Sequence, residues 1–310
     1  MSKVCTIGGQ AVMEGVMMKS TEGIALAVRK SDGEIVTRYT PARSRAQKGT
    51  FLGWPVVRGV VVFIESLTLG MTTLTDSAKL AGESFDEEPS KFEKWLSDKL
   101  GKSVESIVVG LAVILAIALS VGLFFVLPNL VSTLVFGKSE VAGIWKSLTE
   151  GVVRLLIFIG YILMCASIKD VRRVFMYHGA EHKTIACYEA EEEMTSENAM
   201  KHTRLHPRCG TNYLFLVMAV SILFFAVVGW NANFFVRLLL RIAFLPVVAG
   251  LSYEILRVAA KYDNVLTRIV RAPGLALQRI TTKEPTPDML EVSIAAFNLA
   301  MEKLEPAAEN

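Results

Sequence analysis

His178 and His182 stand four residues apart in Tyr-His-Gly-Ala-Glu-His (177–182), with Glu181 between them. On a helix that spacing sets two imidazoles on one face with a carboxylate beside them. Such a pair can hold a transition metal, zinc first among them, while Glu181 takes a proton from an attacking water. Catalytic zinc needs a third protein ligand and an open position. Glu189 lies seven residues past His182, roughly 10 Å along a helix axis, too far to close the same shell. The third donor must therefore come from another element. Glu254 is the leading candidate, because it falls near the end of an apolar segment where an ionisable group is costly unless paired or used. His206 and Cys209 compete for the role through Leu-His-Pro-Arg-Cys-Gly-Thr (205–211). Pro207 disfavours helix at His206, so His206 and Cys209 read as a loop pair. Two plain readings stand against the metal: interfacial histidines bonded to backbone or lipid phosphate, and a Glu254 paired with Arg257. The gathering of all four histidines between positions 178 and 206 favours the metal.

The elements that must position these groups are largely apolar. The chain has 310 residues, 52% hydrophobic and 20% charged, with a mean hydropathy of +0.42. These values point to a membrane protein with soluble parts. A net charge of +3 and the absence of a clustered basic motif argue against nucleic acid as a partner. Four cysteines without a Cys-x-x-Cys spacing read as reduced thiols, not a disulfide framework. No basic segment leads into an apolar core at the N-terminus, so no cleavable signal peptide is expected.

The fold class expected is a mainly α membrane protein built on a four-transmembrane-helix bundle. The spans are placed at 106 to about Pro128, about Gly151 to Ile168, Cys209 to Val236, and about Arg237 to Arg257. Residues 1–50 read as a small β-rich unit, with Ser31-Asp32-Gly33 as a hairpin turn. Residues 51–103 hold a helix buried against the bundle or lying at the interface, not a fifth span, followed by an amphipathic helix opened by the capping box Ser90 to Glu93. Residues 104–258 form the membrane domain with a histidine-rich loop at 169–210, in which helix two continues through Arg172 and Arg173 into the histidine segment. In the tail, 259–310, Leu290, Ile294, Phe297, Met301 and Leu304 form a stripe suited to docking on the protein's own head. Lys169, Arg172, Arg173, Lys183, Lys201, Arg204 and Arg208 between spans two and three place that segment, and both termini, in the cytoplasm. The location expected from these residues is a cytoplasmic membrane.

Other stretches carry weaker signals. Gly8 to Met18 reads Gly-Gly-Gln-Ala-Val-Met-Glu-Gly-Val-Met-Met. It is not a phosphate-binding P-loop, since no Lys-Ser/Thr follows the second glycine of the pattern. Glu14 within it could reach the metal region, but reads first as a satisfied carboxylate capping a turn. The basic residues Arg38, Arg43, Arg45 and Lys48 suit a solvated face or anionic headgroups. Glu189 and Glu191 to Glu193 read as a solvated helix end.

These stretches resemble those of YqhQ-like bacterial membrane proteins. The resemblance rests on Gly-Gly-Gln-Ala-Val-Met-Glu-Gly-Val-Met-Met, Tyr-His-Gly-Ala-Glu-His-Lys-Thr, Arg-Leu-His-Pro-Arg-Cys-Gly-Thr and Leu-Gln-Arg-Ile-Thr-Thr-Lys-Glu-Pro, and spans essentially the whole chain. It implies a family of unknown function labelled as metal-dependent enzymes, with the label falling on His178, Glu181, His182, His206 and Cys209.

Two functions follow as expectations. The first is a metal-dependent membrane enzyme, with zinc as cofactor, that hydrolyses a membrane-associated substrate at the cytoplasmic face; Glu181 is catalytic, and His178, His182 and one of Glu254, His206 or Cys209 are ligands. The second is a non-catalytic inner-membrane scaffold or assembly factor whose head meets a protein partner. A transporter is a poorer fit, since four spans without an internal repeat give a transport path only in a homo-oligomer.

Overall fold

A computed structural model of the protein describes residues 7–47, 49–82, 104–137, 143–228 and 233–304. It divides into two compact units, one of residues 1–83, 161–220 and 244–310, the other of 84–160 and 221–243.

The first unit opens with an antiparallel sheet in sequential order: β1 Gly8–Val12, β2 Gly15–Lys19, β3 Gly23–Arg29 and β4 Ile35–Pro41. Alternation sends Val16, Met18, Ala25 and Ala27 to one face, and Met17, Ile24, Leu26 and Val28 to the other. Both faces are buried, so the sheet needs a cover on each side. Helix α1, Val57–Ala81, supplies Leu69, Leu80 and Ala81 to the second face. The first face takes α5, Lys169–Glu189, and α10, Pro287–Glu302, through Tyr177, Ala180, Leu290 and Phe297. Leu290 and Phe297 are fully buried there, each stabilising the head by about 1.5–3 kcal/mol. The apolar stripe of the tail thus packs on the protein's own sheet. The short α6, Ser196–Lys201, carries a Thr195 N-cap that accepts from the Asn198 N–H, and α9, Val265–Thr281, opens with an Asn264/Thr267 capping box.

The long apolar helices are α2 Val104–Val121 with α3 Leu127–Phe136, α4 Gly143–Ser167, α7 Gly210–Val228 and α8 Phe234–Lys261. A π-helical turn at Gly122–Val126 joins α2 to α3. It carries the helix through Pro128, where the sequence suggested an end.

Two expectations are corrected. Among the described residues five helices, not four, are long and apolar enough to cross a membrane, and the additional one is Val57–Ala81. Three of its four charges are matched: Arg58 pairs with Glu254, Asp76 with Arg38, and Glu65 accepts the Arg45 N–H at 2.7 Å. Helix two also does not run on into the histidine segment. Extended backbone at Ile168 (ψ 130°) separates α4 from α5, and the expected loop at 169–210 is largely helical. The capping box at Ser90 to Glu93 lies outside the described residues.

Candidate metal centre

Helix α5 presents His178 and His182 one turn apart, with ring centroids 4.5 Å from each other. Each ring is oriented by a main-chain carbonyl. His178 donates Nδ1–H to Thr281 O at 2.9 Å, and His182 donates Nδ1–H to Arg204 O at 2.6 Å. A carbonyl only accepts, so both neutral rings keep their lone pair on Nε2. Thr281 closes α9, and its carbonyl is one of those the helix end leaves without an internal partner.

Cys209, just before α7, completes the set. Its Sγ lies 3.2 Å from His178 Nε2, and donor atoms of His178, His182 and Cys209 all fall within 4.8 Å of one another. Donors around one tetrahedral zinc stand about 3.2–3.8 Å apart, given ligand distances of about 2.0–2.3 Å. His182 is 1% exposed, and its Nε2 has no hydrogen-bond partner. A buried lone pair without a donor is costly, and a cation at this point satisfies it. The residues present therefore fit zinc.

Glu181 is 4% exposed, with Oε2 3.4 Å from His182 Nε2 and 4.0 Å from His178 Nε2. Burial lowers the pKa of His182, but the Glu181 carboxylate and then Cys209 outweigh it, and the net direction is upward. Gly9 of β1 makes room for Glu181: a Cβ there would stand 2.5 Å from Glu181 Cγ.

The other candidate ligands are held elsewhere. The Glu254 carboxylate is taken by Arg58, with Nε to Oε1 at 2.7 Å, and by the Val56 N–H at 3.4 Å. It is not among the converging donors, and the charge that made it costly in an apolar helix is matched by an arginine the sequence reading did not consider. His206 sits beside His182, with ring centroids 5.6 Å apart, but turns its Nε2 toward Glu189 Oε2 at 3.6 Å. Burial, then His182 and Arg208, pull its pKa down. Glu189, expected on a solvated helix end, instead pairs with Arg208 and His206. Gln278 fixes the His206 main chain in both directions, accepting its N–H and donating to its carbonyl at 2.8 Å each.

Glu14 does not reach the metal donors. Its φ is +49°, and its carboxylate is held by Arg173, with Nη2 to Oε2 at 2.6 Å, and by the Tyr177 hydroxyl at 3.3 Å. Glu14 accordingly raises the pKa of Arg173, and burial raises that of Tyr177. A second donor group, Cys187, Glu192 and His202, is internally matched: the thiol points to Glu193 O at 3.6 Å, and His202 Nε2 lies 3.3 Å from Glu192 Oε2.

The donor set opens on a cavity of about 1030 Å³. Gly9, His178, Glu181 and Cys209 line it, Val62 and Leu69 of α1 add apolar wall, and Lys19 adds positive charge, whereas Arg43 and Arg208 are paired with Glu22 and Glu189. The four stretches that stood out in the sequence meet here: Gly9 from the first, His178 to His182 from the second, Arg204 to Cys209 from the third, and Gln278 to Thr281 from the fourth.

Residues 54–303 match the model of a family described as a protein of unknown function, DUF1385. This chain belongs to that family. It is 31% identical over 310 residues to the uncharacterized protein YqhQ of Bacillus subtilis (strain 168), covering 97% of this chain and 94% of that one. No solved structure matches the chain. Neither the family description nor that relative's name states a reaction, so the chemistry has to be argued from the residues.

Sequence reasoning missed the supports more than the donors. The carbonyls of Arg204 and Thr281 carry no side-chain signature, and neither does the approach of Gly9 to Glu181. The glycine pair in the first stretch was the one available hint.

Proposed function

We propose that the protein is a zinc-dependent hydrolase of a membrane-associated substrate, working at the cytoplasmic face of the bacterial inner membrane. The observation that carries this reading is the paired orientation of two imidazoles by carbonyls, which sets His178 Nε2 against Cys209 Sγ and leaves His182 Nε2 buried without a hydrogen-bond partner, beside the Glu181 carboxylate. Three protein ligands drawn from histidine and cysteine leave the fourth position of a tetrahedral zinc open. A zinc ion there supplies Lewis acidity and lowers the pKa of water.

His178, His182 and Cys209 bind, with Thr281 and Arg204 holding the rings against rotation. Glu181, beside both Nε2 atoms and facing the cavity, takes the proton of the attacking water and returns it to the leaving group. The apolar wall of α1 accommodates a lipid-like portion of the substrate, while Lys19 favours a negatively charged one.

Contacts within the head support four crossings. The sheet packs against α5 and α10, so residues before α1, between α4 and α7, and after α8 share one side of the bilayer. That requires an even number of crossings between β4 and α5, where three candidate helices lie. Val57–Ala81 is the one laid along the sheet, with Ser77 Oγ accepting the Met13 N–H at 3.2 Å, and it fits an interfacial helix. The seven basic residues from Lys169 to Arg208 favour the cytoplasm for the head. A scaffold would offer its amphipathic tail helix to a partner, whereas α10 buries that stripe at home.

Metal analysis of the purified full-length protein tests the proposal. Near one equivalent of zinc is expected, lost in a His178→Ala/His182→Ala double variant. Folded protein that neither retains nor takes up zinc would sink it.

A further inference from the structure

The first strand of the head has an edge that the proposed hydrolase leaves unused. β1 pairs with β2 through Gly8↔Lys19, Gly9↔Met18, Gln10↔Met17, Ala11↔Val16 and Val12↔Gly15. Among the described residues no strand pairs with its other side. The Arg29 N–H donates to Glu14 O at 2.8 Å, so Glu14, Val16 and Met18 bond toward β3, and Gly15, Met17 and Lys19 toward β1. The main-chain groups of Gly8, Gln10 and Val12 are therefore taken by β2. Those of Gly9 and Ala11 point outward at the open edge and make no bond to the described residues.

This edge lies against the candidate metal centre. Gly8, Gly9, Gln10 and Ala11 all line the cavity. Alternate residues of a strand face opposite sides of the sheet, so a cavity that meets consecutive residues runs along the edge and not over one face. Gly9 adjoins Glu181, since a Cβ there would stand 2.5 Å from its Cγ. Gly8 is exposed, has no positive φ, and a Cβ on it would meet nothing within 4 Å. Neither packing nor backbone conformation calls for glycine at that position, whereas the close approach of a second main chain accounts for it.

We propose that the substrate is a polypeptide, bound in extended form as an added strand along β1; this rests on the zinc-hydrolase reading. Gly9 and Ala11 offer N–H and C=O groups at a two-residue repeat of about 7 Å, which a polypeptide main chain matches and a lipid headgroup does not. Side chains of the added strand alternate between the donor set on one face and Val62, Leu69 and Lys19 on the other. That wall suits apolar residues with an acidic one among them. Hydrolysis adds water across the peptide bond: its hydroxyl goes to the carbonyl carbon, and its proton, taken by Glu181, goes to the leaving amine.

Peptide retention by the full-length protein in mild detergent tests the proposal. The probes are a pool of acetylated, amidated hexapeptides of Leu, Val, Ala and Glu, and the same pool N-methylated along its main chain. Retention is read by mass spectrometry after chelation of zinc, so it does not depend on turnover, and zinc uptake is measured on the same preparation. Wild type should retain the plain pool at least about tenfold over the N-methylated one. Ala11→Pro removes an outward N–H and no bond to β2, and should lower retention of the plain pool about tenfold. Should Ala11→Pro fail to fold, judged by circular dichroism, the comparison of the two pools on wild type decides. Equal retention of both pools, or zinc uptake without peptide retention, overturns the peptide and leaves the hydrolase reading standing. Peptide retention by protein that takes up no zinc sinks the hydrolase reading and leaves β1 as a peptide-binding edge. Retention of phosphatidylglycerol and of neither pool assigns the cavity to a lipid and overturns the proposal.

Discussion

Gly9 and Glu181 touch: a Cβ on Gly9 would overlap the Glu181 side chain, at 2.5 Å from Cγ and 2.7 Å from Oε1. The first strand of the head is thereby the backing of the carboxylate that lies beside both histidines. Replacing Gly9 by alanine must displace Glu181, since a clash of that size cannot be absorbed in place.

Gly9→Ala is therefore expected to cost about 1–3 kcal/mol of stability and to lower turnover while zinc stays bound. Glu181→Gln, which keeps the shape, should leave zinc content near that of wild type and reduce hydrolysis about 10²–10⁴-fold. Zinc content and thermal melts of the two variants check this. Loss of zinc in Glu181→Gln would make Glu181 a ligand.

Cys209 and Glu254 can be separated as third ligands by the same assay. Cys209→Ser should weaken zinc binding strongly, whereas Glu254→Gln should leave zinc in place and destabilise the fold by ~2 kcal/mol through loss of the charged hydrogen bonds from Arg58. The opposite pattern would return Glu254 to the metal.

Gly179 lies between the two histidines, where a Cβ would collide with the carbonyl of Lys283. Gly179→Ala should push α5 off the segment after α9 and loosen the bond from His178 to Thr281. A stability loss of about 1–3 kcal/mol with weaker zinc retention is expected, read by calorimetry and zinc release to a chelator.

Cys187 should resist alkylation. It is fully buried, and burial pushes its thiol above the ordinary cysteine value. The thiolate is the nucleophile, so Cys187 should label more slowly than an ordinary thiol at pH 7, and its rate should still climb about tenfold per unit as pH rises from 7 to 9, where an ordinary thiol begins to level off. Peptide mapping after iodoacetamide treatment, with and without denaturant, reads the difference.

The apolar spans were legible because length and composition alone define them, and the strands because alternation fits a sheet. The helix at 57–81 was harder to classify. Its Arg58, Glu65 and Asp76 argue against a span until Glu254, Ser44, Arg45 and Arg38 are seen to match them. Glu254 was misjudged for the same reason: a lone acid in an apolar helix looks available when its partner is 196 residues away.

The sequence by itself determined which donors exist and that His178, Glu181 and His182 share a helical turn, because helical periodicity is local. Only the tertiary structure decided that Cys209 joins them and that the carbonyls of Arg204 and Thr281 set both tautomers. Ring orientation depends on main-chain groups from distant segments, and these have no side-chain identity for a sequence to display.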